Sequence, residues 1–306
     1  KDILLFIVFI LFAGFIFLGN QWFFNNSGQF LYDGAKASFY DSLQTEPNLT
    51  SSALISAENT SGSSINTESF IAVRIKPGYS HQILFSKNEK EKLPIASLVK
   101  LMTTLVVLES YDLSKKLTMS ELAMAQEGEQ GYLKKGEVLS VKNLLYIMLI
   151  ESSNRAAFAL SEFIGTDNFI SLMNKTSQKL GLVNSNFEDS TGLDPKSYST
   201  AEDIAKLSGY LFENYSLFRE IISLEEFDLY LDDGKFHHKL ISTNNLLEEN
   251  LDIVGGKTGW TNFSKGCFAV IQKRPQDDNY LIYVILGAED RFLEMKKIIS
   301  WVSSNY

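Results

Sequence analysis

Ser97 and Lys100 stand three residues apart in LPIASLVKLMTT, residues 93–104. The apolar spacing there predicts a helix from about Ser97 to Tyr111, and positions three apart share one face of a helix. A hydroxyl beside an amine is a nucleophile beside a base. A lysine acts as a base only when neutral, so its ordinary pKa near 10.4 must fall to about 7, a bias of roughly 4 kcal/mol against the cation. Apolar neighbours such as Leu98, Val99, Leu101 and Met102 can supply it by desolvation, and a second cation adds to it. Taken alone, the pair is better read as a helix-capping serine and a surface lysine.

Two further stretches carry reactive types. Lys257-Thr258-Gly259 follows Gly255-Gly256 and occurs once. A lysine and a threonine together offer a cation and a hydroxyl to a carboxylate, and glycines let a ligand backbone lie along a strand edge. A glycine-rich turn with an exposed lysine is the plain alternative. Ser152-Ser153-Asn154 ends one apolar helical segment and opens another. Ser-x-Asn recurs at Ser64/Asn66, Ser86/Asn88, Ser242/Asn244 and Ser303/Asn305. Only Ser152 lies between the other two motifs with a helix leading straight in and another straight out. Helix capping or a polar kink would also place serines there.

The elements that must position these residues fall in a simple order. FIAVRI (70–75) and QILFS (82–86) predict a hairpin around Pro77-Gly78. Residues 120–180 have mostly helical periodicity. STAEDIAKLSGYLFEN (199–214) predicts a helix capped by Ser199 with Glu202 as its partner. CFAVIQK (267–273) and YLIYVILG (280–287) predict a second hairpin, and DRFLEMKKIISWVSSN (290–305) a closing amphipathic helix. The fold class is α/β: an antiparallel sheet formed by N- and C-terminal strands, packed with helices, plus a mostly helical insertion.

The three motifs in this order match the set named for penicillin-binding proteins and class A β-lactamases. The chain resembles the D-alanyl-D-alanine carboxypeptidases among the low-molecular-mass penicillin-binding proteins, with a β-lactamase/transpeptidase-like fold. The resemblance runs from about Phe70 to Trp301. It includes PIASLVKLMT, LLYIMLIESSNRAAFALSEFIG, MNKTSQKLGLVNSNF, Gly192-Leu193, YSTAEDIAKL, TNNLL and GGKTGWTNFSKGCF with Cys267 in place. Ser242 stands where the family usually has asparagine, and Asp189-Ser190-Thr191 where many members have Asn-Pro-His. Many members continue into a β-rich domain and a C-terminal amphipathic anchor, whereas this sequence ends soon after the catalytic segment.

The resemblance implies a mechanism. Ser97 attacks the carbonyl between two D-alanines of a peptidoglycan stem peptide, and Lys100 takes its proton. Ser152 relays a proton to the leaving amine, and Asn154 orders Lys100 and the substrate amide. Lys257 and Thr258 hold the terminal carboxylate, with Gly259 and Trp260 beside them. The backbone N–H groups of Ser97 and Trp260 form the oxyanion hole. Arg291 resembles a family arginine near the carboxylate site and equally fits a surface cation. β-Lactam antibiotics are the expected inhibitors.

Two alternatives stay in view. A class A β-lactamase needs a glutamate in an E-x-x-L-N loop to activate water, and Glu188 is followed instead by Asp189-Ser190-Thr191-Gly192. A noncatalytic cell-wall-binding module would be expected to lose a motif residue, and none is lost.

At the N-terminus, Ile3 to Gly19 is an unbroken apolar run followed by Trp22, Phe23 and Phe24. A spanning helix takes about 20 apolar residues with aromatics at the interface. Residues 1–24 are expected to be an uncleaved membrane anchor rather than a cleaved signal, contacting the lipid bilayer through residues 3–24. Lys1 precedes the run and the next basic residue is Lys36, which places the body outside the bacterial cytoplasmic membrane. Residues 25–69, with NLTSSALISAENTSGSSINTES, predict a flexible spacer, and residues 70–306 the catalytic domain.

Composition excludes several classes. The 306 residues are 45% hydrophobic, with a net charge of −9 and no basic block, so no nucleic-acid partner is expected. Cys267 is the only cysteine, which excludes an intrachain disulfide. His81, His237 and His238 show no metal-ligand spacing, and no metal or cofactor is expected.

Overall fold

Strands β1 (Ser69–Ile75), β10 (Lys265–Lys273) and β11 (Tyr280–Ala288) read as near-continuous buried runs. Such runs belong to strands covered on both faces. In the computed structural model, which describes residues 65–75, 82–128, 130–249, 251–274 and 279–306, they form the middle of an antiparallel five-stranded sheet. Strand β2 (Gln82–Lys87) lies on one edge and β9 (Ile253–Thr261) on the other, in the order β2-β1-β11-β10-β9. The two hairpins read from the sequence pair in this sheet, β1 with β2 and β10 with β11. β9 extends the second into a meander and carries Lys257-Thr258-Gly259 along an open edge.

Side chains alternate between the two faces. Phe70, Phe268, Val270, Tyr283 and Ile285 pack on helix α8 (Arg291–Asn305), which presents Met295, Ile298, Ile299 and Val302. That i, i+3, i+4, i+7 spacing is one stripe of a helix. Burying four such side chains contributes about 6–12 kcal/mol before the entropy of ordering is subtracted. Asp290 caps α8 by accepting from the backbone N–H of Phe292 and Leu293.

The insertion comprises α1 (Val99–Ser110), the short α2 (Glu121–Met124), α3 (Val141–Ile150), α4 (Asn154–Glu162), α5 (Thr166–Lys179), α6 (Ala201–Asn214) and α7 (Ser216–Ile222). α6 lies against β1 and β11 on the face opposite α8. α3 is buried nearly all round, as its apolar sequence demands, so its end at Ile150 is fixed from every side. Three small ladders complete the body: β3 (Leu93–Pro94) with β6 (Tyr198–Ser199), β4 (Lys116–Thr118) with β5 (Val138–Ser140), and β7 (Glu226–Tyr230) with β8 (Phe236–Ile241).

Three sequence expectations change in detail. Residues 125–128 and 130–140 are not helical, because Gly128, Gly131 and Gly136 adopt positive φ and the chain turns into β5. The cap of α6 is Thr200, whose hydroxyl accepts from the Asp203 N–H. Ser199 instead pairs with Ser185. The body is also tied down before Phe70: the Asn66 N–H donates to Glu294 Oε2 at 2.8 Å, and Thr67 Oγ1 to the Leu286 carbonyl at 2.7 Å. The expected anchor and nearly all of the spacer lie outside the described residues, as do Pro77-Gly78 and residues 275–278. Among the described residues no helix is long and apolar enough to cross a membrane.

Candidate active site

Ser97 lies in a 3-10 turn, Ala96–Leu98, that runs into α1 and places Lys100 in that helix's first turn. Ala96 has φ +47°, a left-handed conformation that costs energy for a residue with a Cβ. It is locked there by Gly192, where an added Cβ would stand 1.9 Å from the Ala96 carbonyl oxygen. Opposite, β9 closes in at Gly259, where a Cβ would meet the Ser97 nitrogen at 2.9 Å. The backbone of Ser97 is thus gripped between a loop and a strand edge that must both be bare.

Lys100 is fully buried. Its Nζ lies 2.9 Å from Ser97 Oγ, 2.7 Å from Asn154 Oδ1 and 2.6 Å from the Thr191 carbonyl. Desolvation pulls its pKa down from 10.5 to about 7, against the attraction of Asp189. A neutral amine has two N–H donors and one lone pair. The amide oxygen of Asn154 and the carbonyl of Thr191 accept the two donors. The lone pair is left facing the Ser97 hydroxyl, as a base requires.

Ser152 follows Ile150 and Glu151 at the end of α3, with φ +62°. Lys257 Nζ donates to Ser152 Oγ at 2.7 Å and to the Thr258 carbonyl at 2.8 Å. Lys257 is buried, and its pKa falls well below 10.5 through desolvation and then the charges of Lys100 and Arg291. With Lys257 donating to it, the Ser152 hydroxyl keeps its own proton free to give. Ser153 caps α4 by accepting from the Ala156 N–H and donates to the Gln130 carbonyl. That cap sets Asn154, whose Nδ2 donates to the Glu127 carbonyl at 2.9 Å.

Thr258 Oγ1 donates to Thr243 Oγ1 at 2.7 Å. Arg291 Nη1 donates to the Gly259 carbonyl at 3.3 Å, so this arginine is joined to the strand edge rather than free on the surface. Trp260, 56% exposed, stands on the same edge beyond Gly259. Ser97, Lys100 and Asn154 therefore form one hydrogen-bonded cluster and Ser152 and Lys257 another, with Thr258, Gly259 and Arg291 alongside.

Sequence reasoning missed two contributors. Asp189 accepts from the backbone N–H groups of Gly192 and Leu193 and from the Ser197 hydroxyl, and also pairs with the Thr191 hydroxyl. This folds Asp189-Ser190-Thr191 into a loop whose Thr191 carbonyl meets Lys100. The aspartate ahead of a glycine was the available signal. Thr243 was the other, visible only as the start of TNNLL.

The family model described as D-alanyl-D-alanine carboxypeptidase matches residues 56–290. The carboxypeptidase DacF of Bacillus subtilis is 33% identical over 74% of this chain and 60% of its own length. DacC of Escherichia coli is 32% identical over 72% of this chain and 58% of its own. The chain thus spans about three fifths of these curated relatives. The DD-transpeptidase of Streptomyces K15 shares the fold with a TM-score of 0.72 at 24% identity, over 80% of this chain and all of that one. The match across most of the chain, on a body with this fold, places the protein in the D-alanyl-D-alanine carboxypeptidase family.

Proposed function

We propose that the protein is a serine D-alanyl-D-alanine carboxypeptidase that trims peptidoglycan stem peptides. The observation that carries this is the buried Lys100 amine, drawn to a pKa of about 7 and held against Ser97 by Asn154 and Thr191. Ser97 Oγ bonds to the carbonyl carbon of the penultimate D-alanine as its proton passes to Lys100. The negative oxygen is held by the backbone N–H groups of Ser97 and Trp260. The C–N bond breaks, and the leaving nitrogen takes a proton through Ser152. D-Alanine departs, leaving an ester on Ser97. Water then adds to the ester, giving its proton to Lys100, and the serine oxygen leaves with a proton. Lys257 and Thr258 bind the substrate's terminal carboxylate, with Arg291 adding positive charge behind Gly259.

A penicillin presents a carbonyl and a carboxylate in a related arrangement, and its leaving nitrogen stays tethered. Intact mass should show one persistent adduct on the wild type, mapped to residue 97, and none on Ser97→Ala. Lys100→Ala should acylate about 10²–10⁴-fold more slowly. Release of D-alanine from a stem pentapeptide tests the hydrolysis itself. Turnover of the drug without an adduct would favour the β-lactamase reading, and an adduct surviving Ser97→Ala would falsify the assignment.

The same reading holds residues 3–24 as a membrane tether and residues 25–64 as a spacer, with the body outside the cytoplasmic membrane. The support is the apolar run Ile3–Gly19 with its aromatic flank. Sequencing the N-terminus of membrane-recovered protein tests it, since a chain beginning beyond Gly19 contradicts a retained anchor.

A further inference from the structure

Neighbouring residues of a β-strand point to opposite faces. His237 and His238 in β8 do not. Leu229 pairs with His238 and Tyr230 with Phe236, so the register slips and His237 is the extra residue of a bulge. A bulge re-aims a side chain. Here it brings the two imidazoles together, with Nδ1 of His237 2.5 Å from Nδ1 of His238. Each ring is held from behind by a carboxylate. His237 Nε2 lies 3.0 Å from Glu137 Oε1, and His238 Nε2 lies 3.1 Å from Glu151 Oε2. All four side chains are at most 16% exposed.

A neutral imidazole carries one N–H. If each Nε2–H donates to its glutamate, each Nδ1 presents a bare lone pair. Two lone pairs cannot face each other at this distance without a cation between them. A proton is one such cation. A metal ion is another, and it takes neutral imidazoles as ligands. A carboxylate behind each ligating histidine is the arrangement that fixes its tautomer and strengthens its donor nitrogen.

We propose that His237 and His238 bind one divalent transition-metal ion of the imidazole-preferring class (Zn²⁺, Ni²⁺ or Cu²⁺) through their Nδ1 atoms. Glu137 and Glu151 are its outer supports. Metal–nitrogen bonds of about 2.0–2.1 Å would spread the two nitrogens to roughly 3.3 Å at a tetrahedral angle. No three His, Cys, Asp or Glu side chains converge as a metal site among the described residues, so water completes the coordination and binding is reversible. Tyr132 flanks the pair, its ring 5.0 Å from that of His238. The site lies outside the catalytic clusters yet joins β8 to Glu151, the residue before Ser152. Linear spacing gave no hint of it, because the bulge creates it.

The test uses the full 306-residue chain, stripped with chelator and kept in detergent at pH 7.5. Calorimetry with ZnCl₂ should show one equivalent bound per chain. Cu²⁺ should give an electron paramagnetic resonance spectrum split by two imidazole nitrogens. His238→Ala should lose the equivalent, and Glu137→Gln and Glu151→Gln should each weaken it about 10–100-fold. Binding should weaken as pH falls to 5.5, as protons compete for the nitrogens. The spectrum needs only the wild type, so it stands even if a variant misfolds. No stoichiometric binding by the wild type overturns the proposal, as does an equivalent that survives both His237→Ala and His238→Ala. So does a nitrogen NMR spectrum, unchanged by Zn²⁺, with one proton shared between the rings.

Discussion

The chemistry of a single amine sets the pH behaviour. Folded Lys100 titrates near 7 and unfolded lysine near 10.5. The competent neutral form therefore grows as pH rises, and the rate of penicillin acylation should climb about tenfold per pH unit below 7 and level off above. Lys257 senses the charge of Lys100, so the limb belongs to the coupled pair. A flat profile from pH 5.5 to 8.5 would contradict a neutral lysine base. The same shift bears on stability with a definite sign. Below about pH 7 both states hold the proton, and the cost of burying the ammonium is present in full. Between 7 and 10.5 the unfolded chain binds a proton the folded one has shed, so this contribution to stability improves with pH. Lys257 makes a separate prediction. As a carboxylate partner, it should matter most for substrates with a free C-terminus. Lys257→Ala should thus depress hydrolysis of a D-Ala-D-Ala peptide far more than that of its C-terminal amide, with kcat/KM for each as the readout. Equal losses would assign it a general electrostatic role.

Between elements, the decisive contact is the one between Gly192 and the turn before α1. Gly192→Ala places a methyl on the Ala96 carbonyl at a residue with φ +86°. Gly234→Ala, at φ +81° with open space around it, supplies the control. The control should cost about 1–2 kcal/mol in urea denaturation, the left-handed penalty alone. Gly192→Ala should cost about 3 kcal/mol or more and slow acylation as Ser97 shifts. Matching costs would show that the contact does not govern the placement of Ser97. This contact also marks the limit of what the sequence disclosed. Ser97, Lys100, Ser152, Asn154 and Lys257 were legible because their chemistry is carried by side-chain type and short spacing. The Thr191 carbonyl was not, since every residue has one and only the Asp189 loop aims it. The helical periodicity read across residues 120–180 is broken between Met124 and Val141, where glycines at positive φ outweigh it. Thr200 took the cap because Ser199 was already engaged with Ser185, a partner 14 residues away. Distance along the chain, more than residue chemistry, separated what could be read from what could not.

At the scale of the molecule, the sheet is assembled from both ends of the body. β1 lies between β2 and β11, while α8 packs beneath them and reaches back to Asn66 through Glu294. Trp301 stacks on Phe85 with ring centroids 3.9 Å apart. Such long-range pairing ties the last helix to the whole sheet rather than to a local unit. Ile298→Ala, at a fully buried position, should lose about 2–5 kcal/mol. Removal of residues 291–306 should abolish the cooperative thermal transition rather than trim it, as circular dichroism would show. A sharp transition in the shortened chain would mean that the sheet stands without α8. The burial of Lys100 then acquires a temporal meaning. Its basicity exists only once α1, α4 and the 189–192 loop have closed around it. In a chain only half folded, the amine is hydrated and cationic, and Ser97 is one hydroxyl among many. On the proposed reading, no inhibitory segment would be required to keep the chain harmless before it folds, because the event that completes the body would also arm the serine.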